Sequence, residues 1–191
     1  MLTRAFFAQN AVELAQTLIG ARLLVEGVGG IITETECYTP DDPASHSFRG
    51  PTKRNAAMFG PQGHAYVYRI MGLHWCFNVV CGSQPGEGSA VLIRALEPTH
   101  GLNAMAQRRG TDDPRRLCAG PGCVAQALGL TDAHNHLPLD ARPFRLEARE
   151  TTPEIITGPR IGITKAAERP WRFGLKGSRF LSRPFPRNSI R

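Results

Sequence analysis

The sequence predicts a single α+β or mixed-sheet domain, and three observations favour it. The chain has 191 residues, enough for one domain with a real hydrophobic core. Apolar and aromatic runs of strand length follow one another, with few helical segments between them. Hydrophobic content is 41% and charged content 20%, as in ordinary soluble proteins. We interpret residues 1–191 as one domain.

The strands are predicted from short runs rich in β-branched, aliphatic and aromatic residues. In chain order they cover residues 21–27, 30–38, 64–70, 74–81, 88–96, 144–150, 160–164 and 172–177. Gly27–Gly30 joins the first two strands. Residues 39–55 carry many Pro, Asp, Ser and Gly residues and therefore predict a long loop.

Three helices are predicted. The first covers 11–19, with Asn10 as its N-cap, because Asn accepts hydrogen bonds from the free N–H groups of a first helical turn. The second begins at Thr99 and runs through "NAMAQRR". The third lies in "AGPGCVAQALGL", with Pro121 in its first turn, where the missing N–H of proline costs nothing.

One predicted strand, "IITETECYT", holds two of the few acids in a basic chain. Side chains alternate along a strand, so four residues are expected on one face and the intervening threonines on the other. The four are Ile32, Glu34, Glu36 and Tyr38. The spacing alone also fits a solvent-facing strand with two acids of no special role.

Arg94 stands inside the apolar run "AVLIRAL". A guanidinium in such a place must be paired or face a polar cavity, because an unpaired buried charge is costly. Glu36 is a candidate partner. Two interpretations remain open: a structural ion pair, or a cleft in which Arg94 and Glu36 hold a water molecule.

The strands at 64–70 and 74–81 predict a hairpin with Met71 near its tip. Proteins that distort DNA insert apolar side chains of this kind between base steps. A tip that folds back over its own core is the alternative. Tyr66 and Tyr68 on the same hairpin suit a pocket for an unstacked base, or else ordinary aromatic packing.

The net charge of +7 is unevenly placed, since residues 142–191 carry 12 Lys/Arg and 4 Asp/Glu. Such a basic region attracts polyanions, nucleic acid first, although it also fits a solvated surface. Residues 182–191 are typical of a flexible basic tail. The apolar runs are too short for a membrane span and no signal peptide is evident, so a cytoplasmic protein with no membrane partner is expected.

Taken together, the motifs resemble those of the alkyladenine (3-methyladenine) DNA glycosylases of the mammalian type. The resemblance spans nearly the whole chain in the order of the family. It is carried by "ETECY", "ASHSFRG", "KRNAAMF", "YVYRIMG", "CFNVV", "VLIRALEP", "AGPG" and "RFGLKGS". It implies one glycosylase domain built around an antiparallel sheet, a monomer, and no metal or organic cofactor.

The resemblance also implies roles for seven residues. Glu36 corresponds to the general base and Arg94 to the arginine that positions water. The base pocket corresponds to Tyr38, His46 and Tyr68, with Asn78 as the residue that disfavours normal guanine. Met71 corresponds to the wedge, and here the sequence departs from the family member compared, which has tyrosine.

The implied function is a monofunctional DNA glycosylase acting on double-stranded DNA. Its substrates would be alkylated or deaminated purines: 3-methyladenine, 7-methylguanine, hypoxanthine and ethenoadenine. Base flipping and attack by water activated by a glutamate would begin base excision repair. Two alternatives remain: a non-catalytic nucleic-acid-binding module on the same scaffold, and a hydrolase of free nucleosides.

Overall fold

Strand β2, Val28–Tyr38, lies at the centre of the fold in the computed structural model, which describes residues 1–186. It pairs with β5, Ser89–His100, along one side. On its other side it pairs first with β1, Arg22–Val25, and then with β8, Arg172–Leu175. Because β2 has neighbours on both sides, its acidic residues are enclosed by sheet rather than exposed at an edge.

The other strands extend this sheet. They are β3, Ala65–Ile70; β4, His74–Cys81; β6, Phe144–Glu147; and β7, Ile155–Gly158. The order is β3-β4-β5-β2-β1-β6, with β8 pairing both β2 and β7. All the strand pairings within residues 1–186 are antiparallel. The predicted α+β fold with an antiparallel sheet is confirmed.

Helices cover one face of the sheet and bury the main apolar core against it. They are α1, Ala11–Thr17; α2, Leu102–Arg109; α3, Pro114–Leu117; and α4, Pro121–Leu128, with short 3-10 turns at Arg4–Phe7, Ala56–Phe59 and Asp132–His134. The predicted N-cap is confirmed, since the Asn10 side chain accepts from the N–H of Glu13. The hairpin and the long loop are also as predicted.

Two predicted elements are wrong. Thr99 does not begin a helix, because β5 continues to His100 by pairing with the start of β2, and α2 begins only after Gly101. Residues 160–164 are not a strand. The N–H of Ile161 donates to a side chain instead of a strand ladder.

Thr33 is an extra residue in β2. Its neighbours Ile32 and Glu34 pair with two consecutive residues of β5, Leu96 and Ala95. Such a bulge re-aims the side chains that follow it. Ile32 therefore packs in the main core, whereas Thr33 and Glu34 both contact the chain that follows β8. The expectation that Ile32 shares a face with Glu34 is wrong for this reason.

Arg94 is the matching extra residue in β5. Ala95 pairs with Glu34. Ile93 pairs with Thr35, the next residue of β2, so Arg94 has no partner in the ladder. The extra residue in β2 is thus offset by the extra residue in β5, and regular pairing continues from Thr35 and Ile93 onwards. The bulge directs a guanidinium towards the polar side of the sheet while Ile93 remains in the core.

Candidate active site

Glu36 is fully buried in β2 and held by three groups. The Tyr38 hydroxyl donates to Glu36 Oε2 at 2.8 Å, and the N–H of Ile161 donates to Oε1 at 2.7 Å. Arg94 Nη1 lies 3.4 Å from Oε2. The structure thus brings together the acid and the arginine that the sequence singled out.

Burial raises the pKa of Glu36 above its ordinary value, because the ionised carboxylate loses water. Arg94, the Ile161 N–H and the Tyr38 hydroxyl lower that pKa and offset part of the increase. Nearby Glu34 raises it slightly more. A carboxylate with a raised pKa is a better proton acceptor near neutral pH than an ordinary glutamate.

Glu34 is also fully buried and accepts four hydrogen bonds. Two come from arginines: Arg94 Nε at 3.1 Å and Arg172 Nε at 2.7 Å. The other two come from Ser182, whose N–H donates at 2.5 Å and whose hydroxyl donates at 2.8 Å. Arg94 is therefore shared between two carboxylates.

A cavity of about 240 Å³ opens beside this cluster. Liquid water occupies about 30 Å³ per molecule, so the cavity has room for several waters or a small ring system. Its lining residues are Tyr38, Ala44, His46, Met58, Tyr66, Tyr68, Ile70, Cys76, Asn78, Leu92, Arg94, Pro121, Ile161, Gly162 and Ile163. The predicted base-pocket residues all lie in this set. Glu36 is enclosed behind the wall, and three of its contacts form part of that wall.

His46 forms one aromatic wall of the cavity. Its Nδ1 lies 2.8 Å from the Tyr66 hydroxyl, and its ring centroid lies 4.6 Å from that of Tyr68, at an interplanar angle of 69°. Burial, with a smaller effect of Arg54, lowers the pKa of His46 below its ordinary value. The imidazole is therefore neutral at neutral pH, and this wall presents ring faces without positive charge.

Asn78 lies on β4 and is buried. Its side-chain nitrogen donates to the carbonyl oxygen of Tyr66 at 3.0 Å. This hydrogen bond fixes the orientation of the amide, because the NH₂ group is directed to the backbone.

Met71 is 86% exposed at the tip of the β3–β4 hairpin. The N–H of Leu73 donates to the carbonyl of Ile70, and both central residues of the turn, Met71 and Gly72, have positive φ. Positive φ at both central residues is typical of hairpin turns whose twist matches that of the flanking strands. The tip does not fold back over the core, and Leu73 beside it is 68% exposed.

An ion pair that sequence reasoning missed stands behind the aromatic wall. Arg160 and Asp42 pair with both side chains fully buried. Arg160 also donates to the carbonyl of Cys37 at 3.1 Å, and its guanidinium lies 4.8 Å from the ring centroid of Tyr38. These contacts fix the segment that presents the Ile161 N–H to Glu36. The only signal in the sequence is an arginine beside apolar residues.

A second, basic groove adjoins the aromatic cavity and shares His46 and Tyr66 with it. Its cations are Arg49, Arg54 and Lys165. Positive charge beside a pocket of this kind attracts a phosphate backbone and steers it towards the pocket mouth.

A family model described as methylpurine-DNA glycosylase matches residues 5–179 of the chain. Several curated proteins carrying the name "Putative 3-methyladenine DNA glycosylase" are similar over nearly the whole length. One from Rhodopseudomonas palustris (strain ATCC BAA-98 / CGA009) is 67% identical over 187 residues, covering 98% of this chain and 90% of the relative.

More distant relatives carry the same name. The protein from Bradyrhizobium diazoefficiens is 59% identical over 186 residues, covering 97% of this chain and 92% of its own. That from Nitrosospira multiformis is 56% identical over 184 residues, covering 96% and 95%.

Proposed function

The chain belongs to the methylpurine-DNA glycosylase family, and on this premise we propose that it excises alkylated or deaminated purines from double-stranded DNA. Its substrates would include 3-methyladenine, 7-methylguanine, hypoxanthine and ethenoadenine. It would act as a monofunctional enzyme, as a monomer in the cytoplasm, and leave an abasic site. The observation that carries this proposal is the buried Glu36, held by Arg94 at the wall of an aromatic cavity.

The first step in this proposal is base flipping, because the atom to be attacked is inaccessible within a stacked duplex. Met71 would enter the space that the damaged nucleotide leaves, as apolar wedges do in other proteins. Its exposure at a hydrogen-bonded hairpin turn supports this role. Lysines and arginines of the basic groove would bind the phosphates, so affinity would fall steeply with salt.

The flipped base would then stack between Tyr38, His46 and Tyr68. Purines such as 3-methyladenine carry a positive charge, and electron-rich ring faces attract cations. A neutral His46 avoids the repulsion that an imidazolium would exert on such a base. This recognition is largely insensitive to the position of the alkyl group, which fits a range of substrates.

The chemistry in this proposal begins with Glu36 as a carboxylate. It would take a proton from a water molecule whose oxygen bonds to the anomeric carbon, while the N-glycosidic bond breaks and its electrons leave with the base. The sugar gains positive charge in the transition state, which the carboxylate stabilises. Arg94 would orient the water and favour ionised Glu36. A cationic base leaves as a neutral molecule, whereas hypoxanthine must also acquire a proton.

Duplex oligonucleotides test the proposal. One carries a single hypoxanthine and another carries randomly methylated purines, and each is incubated with the protein and then treated with alkali. Strand breaks that require alkali are expected, with no adduct trapped by borohydride, since no lysine lines the base cavity among residues 1–186. A trapped adduct would exclude the monofunctional mechanism. Hydrolysis of free inosine without DNA cleavage would favour a nucleoside hydrolase, and salt-sensitive binding without breaks would favour a binding module.

Asn78→Ala is expected to release about tenfold more normal guanine from undamaged DNA than the parent protein. A side chain at the 2-amino group of guanine penalises that base without harming adenine-like ones. The measurement is the rate of guanine release, with hypoxanthine excision as the control that should change little. Equal guanine release by the two proteins would remove Asn78 from the selectivity mechanism.

A further inference from the structure

The chain that follows β8 folds back onto the acidic cluster. We call residues 180–186 the C-terminal segment. Its Ser182 gives both the backbone N–H and the hydroxyl to Glu34. The hydroxyl of Thr33, the extra residue of β2, donates to the carbonyl of Phe180 at 2.7 Å. The segment is thus attached at the bulge that turns Glu34 towards it.

Arg172 holds the other half of this segment. It donates to the carbonyl of Arg183, and its guanidinium lies 3.8 Å from the ring centroid of Phe185. Gly174 leaves the space for that ring, since a Cβ there would lie 2.6 Å from Phe185 Cε2. Such a contact is shorter than van der Waals packing allows, so alanine at this position would move the ring and the segment with it.

Arg94 connects this arrangement to Glu36. Its Nε is bound to Glu34 at 3.1 Å, and its Nη2 lies 3.5 Å from Ser182 Oγ. A guanidinium is planar and its donors have fixed relative directions. Fixing two of its nitrogens therefore sets the direction of the third, Nη1, which lies 3.4 Å from Glu36.

The geometry points to Glu34, Arg172 and Ser182 as positioning residues for base excision, which hold Arg94 in the orientation that engages Glu36 and the attacking water. This inference rests on the proposed function. The C-terminal segment would thereby complete the catalytic centre, although Ser182 and Glu34 are 148 residues apart in the chain. If the cluster served folding alone, its variants would lose stability and DNA affinity as much as they lose excision rate.

The test compares Ser182→Ala with Ser182→Thr, which keeps a hydroxyl, and with Ser83→Ala as the matched control, since Ser83 is exposed and lies outside the cavity. The measurements are the single-turnover excision rate on a hypoxanthine duplex, the dissociation constant for a duplex with a tetrahydrofuran abasic analogue, and the melting temperature. Ser182→Ala is expected to excise about tenfold more slowly, the effect of one hydrogen bond to a charged group. Its DNA affinity should be unchanged, and Ser182→Thr should recover most of the rate.

Gly174→Ala provides a second variant, because it displaces the segment without removing any polar group of the cluster. It is expected to slow excision as well. Parent-like rates in both Ser182→Ala and Gly174→Ala would overturn the inference, as would a loss of rate accompanied by an equal loss of binding. These results are distinct from failure of the proposed function, in which the parent protein itself would release no base.

Discussion

Glu36→Gln is expected to lower the single-turnover rate of hypoxanthine excision by about 10³-fold, the range in which a positioned general base contributes. Glutamine has nearly the same shape as glutamate but cannot take the proton of the attacking water. The amide oxygen can still accept from the Ile161 N–H, and the amide NH₂ can donate to the Tyr38 hydroxyl, which then acts as the acceptor. Arg94 keeps its ion pair with Glu34, so the fold should persist.

The control for this variant is Glu97→Gln, on β5 outside the cavity. It should excise at the parent rate. Binding to a duplex with a tetrahydrofuran abasic analogue should remain intact in both variants. Retention of more than about a tenth of the parent rate by Glu36→Gln would show that another group activates the water, because a lost general base costs far more.

Arg94→Met is expected to have the second largest effect. It leaves Glu36 buried without its cation, so it should reduce stability by about 3 kcal/mol, as for other broken buried ion pairs. Excision near neutral pH should fall by about 10²-fold, the usual cost of losing one donor from a preorganised site. Chemical denaturation and single-turnover kinetics measure these two effects.

The pH dependence of excision by Arg94→Met distinguishes the loss of the Arg94 charge from a loss of structure. In the parent protein Arg94 lowers the pKa of Glu36 against the effect of burial. Without Arg94 that pKa rises, so Glu36 stays protonated to higher pH. The acidic limb of the rate profile should therefore shift to higher pH, with part of the activity recovered in alkaline buffer. If the acidic limb lay at the same pH in both proteins, the effect of Arg94 on the pKa of Glu36 would be contradicted.

Arg22→Met is the matched control for Arg94→Met. Arg22 also pairs with a glutamate across strands, but its side chain is 35% exposed. Solvent screens such a pair, so its loss should cost less than about 1 kcal/mol. Its rate profile should keep the midpoint of the parent. A comparable loss of stability in the two variants would show that burial of Arg94 is not what makes it important.

Local patterns in the sequence predicted much of the fold. The cap at Asn10, the β3–β4 hairpin and the helix at Pro121 depend on residues close in the chain, and the structure has all three. The family resemblance is confirmed as well. The two incorrect elements, at Thr99 and 160–164, failed because distant strands or side chains compete for their backbone groups.

The candidate site was predictable only where its residues stand in apolar runs or family motifs. Glu36 and Arg94 met that condition. The pairing of Arg160 with Asp42 spans 118 residues, and nothing local indicates the partner of either one. The bulge at Thr33 could not be predicted either, because a short strand pattern predicts only strict alternation of side chains between the two faces.

Because Thr33 in β2 and Arg94 in β5 are matching extra residues, the two strands must keep the same number of residues at this site. Deletion of Thr33 alone would leave Arg94 as an uncompensated extra residue, so that β5 would have one residue more than β2 between the regular stretches of pairing. Deletion of Arg94 as well would restore a regular ladder, but it would remove the guanidinium from the site. During divergence, insertions and deletions in these two strands are therefore coupled, and homologous chains should vary in length elsewhere.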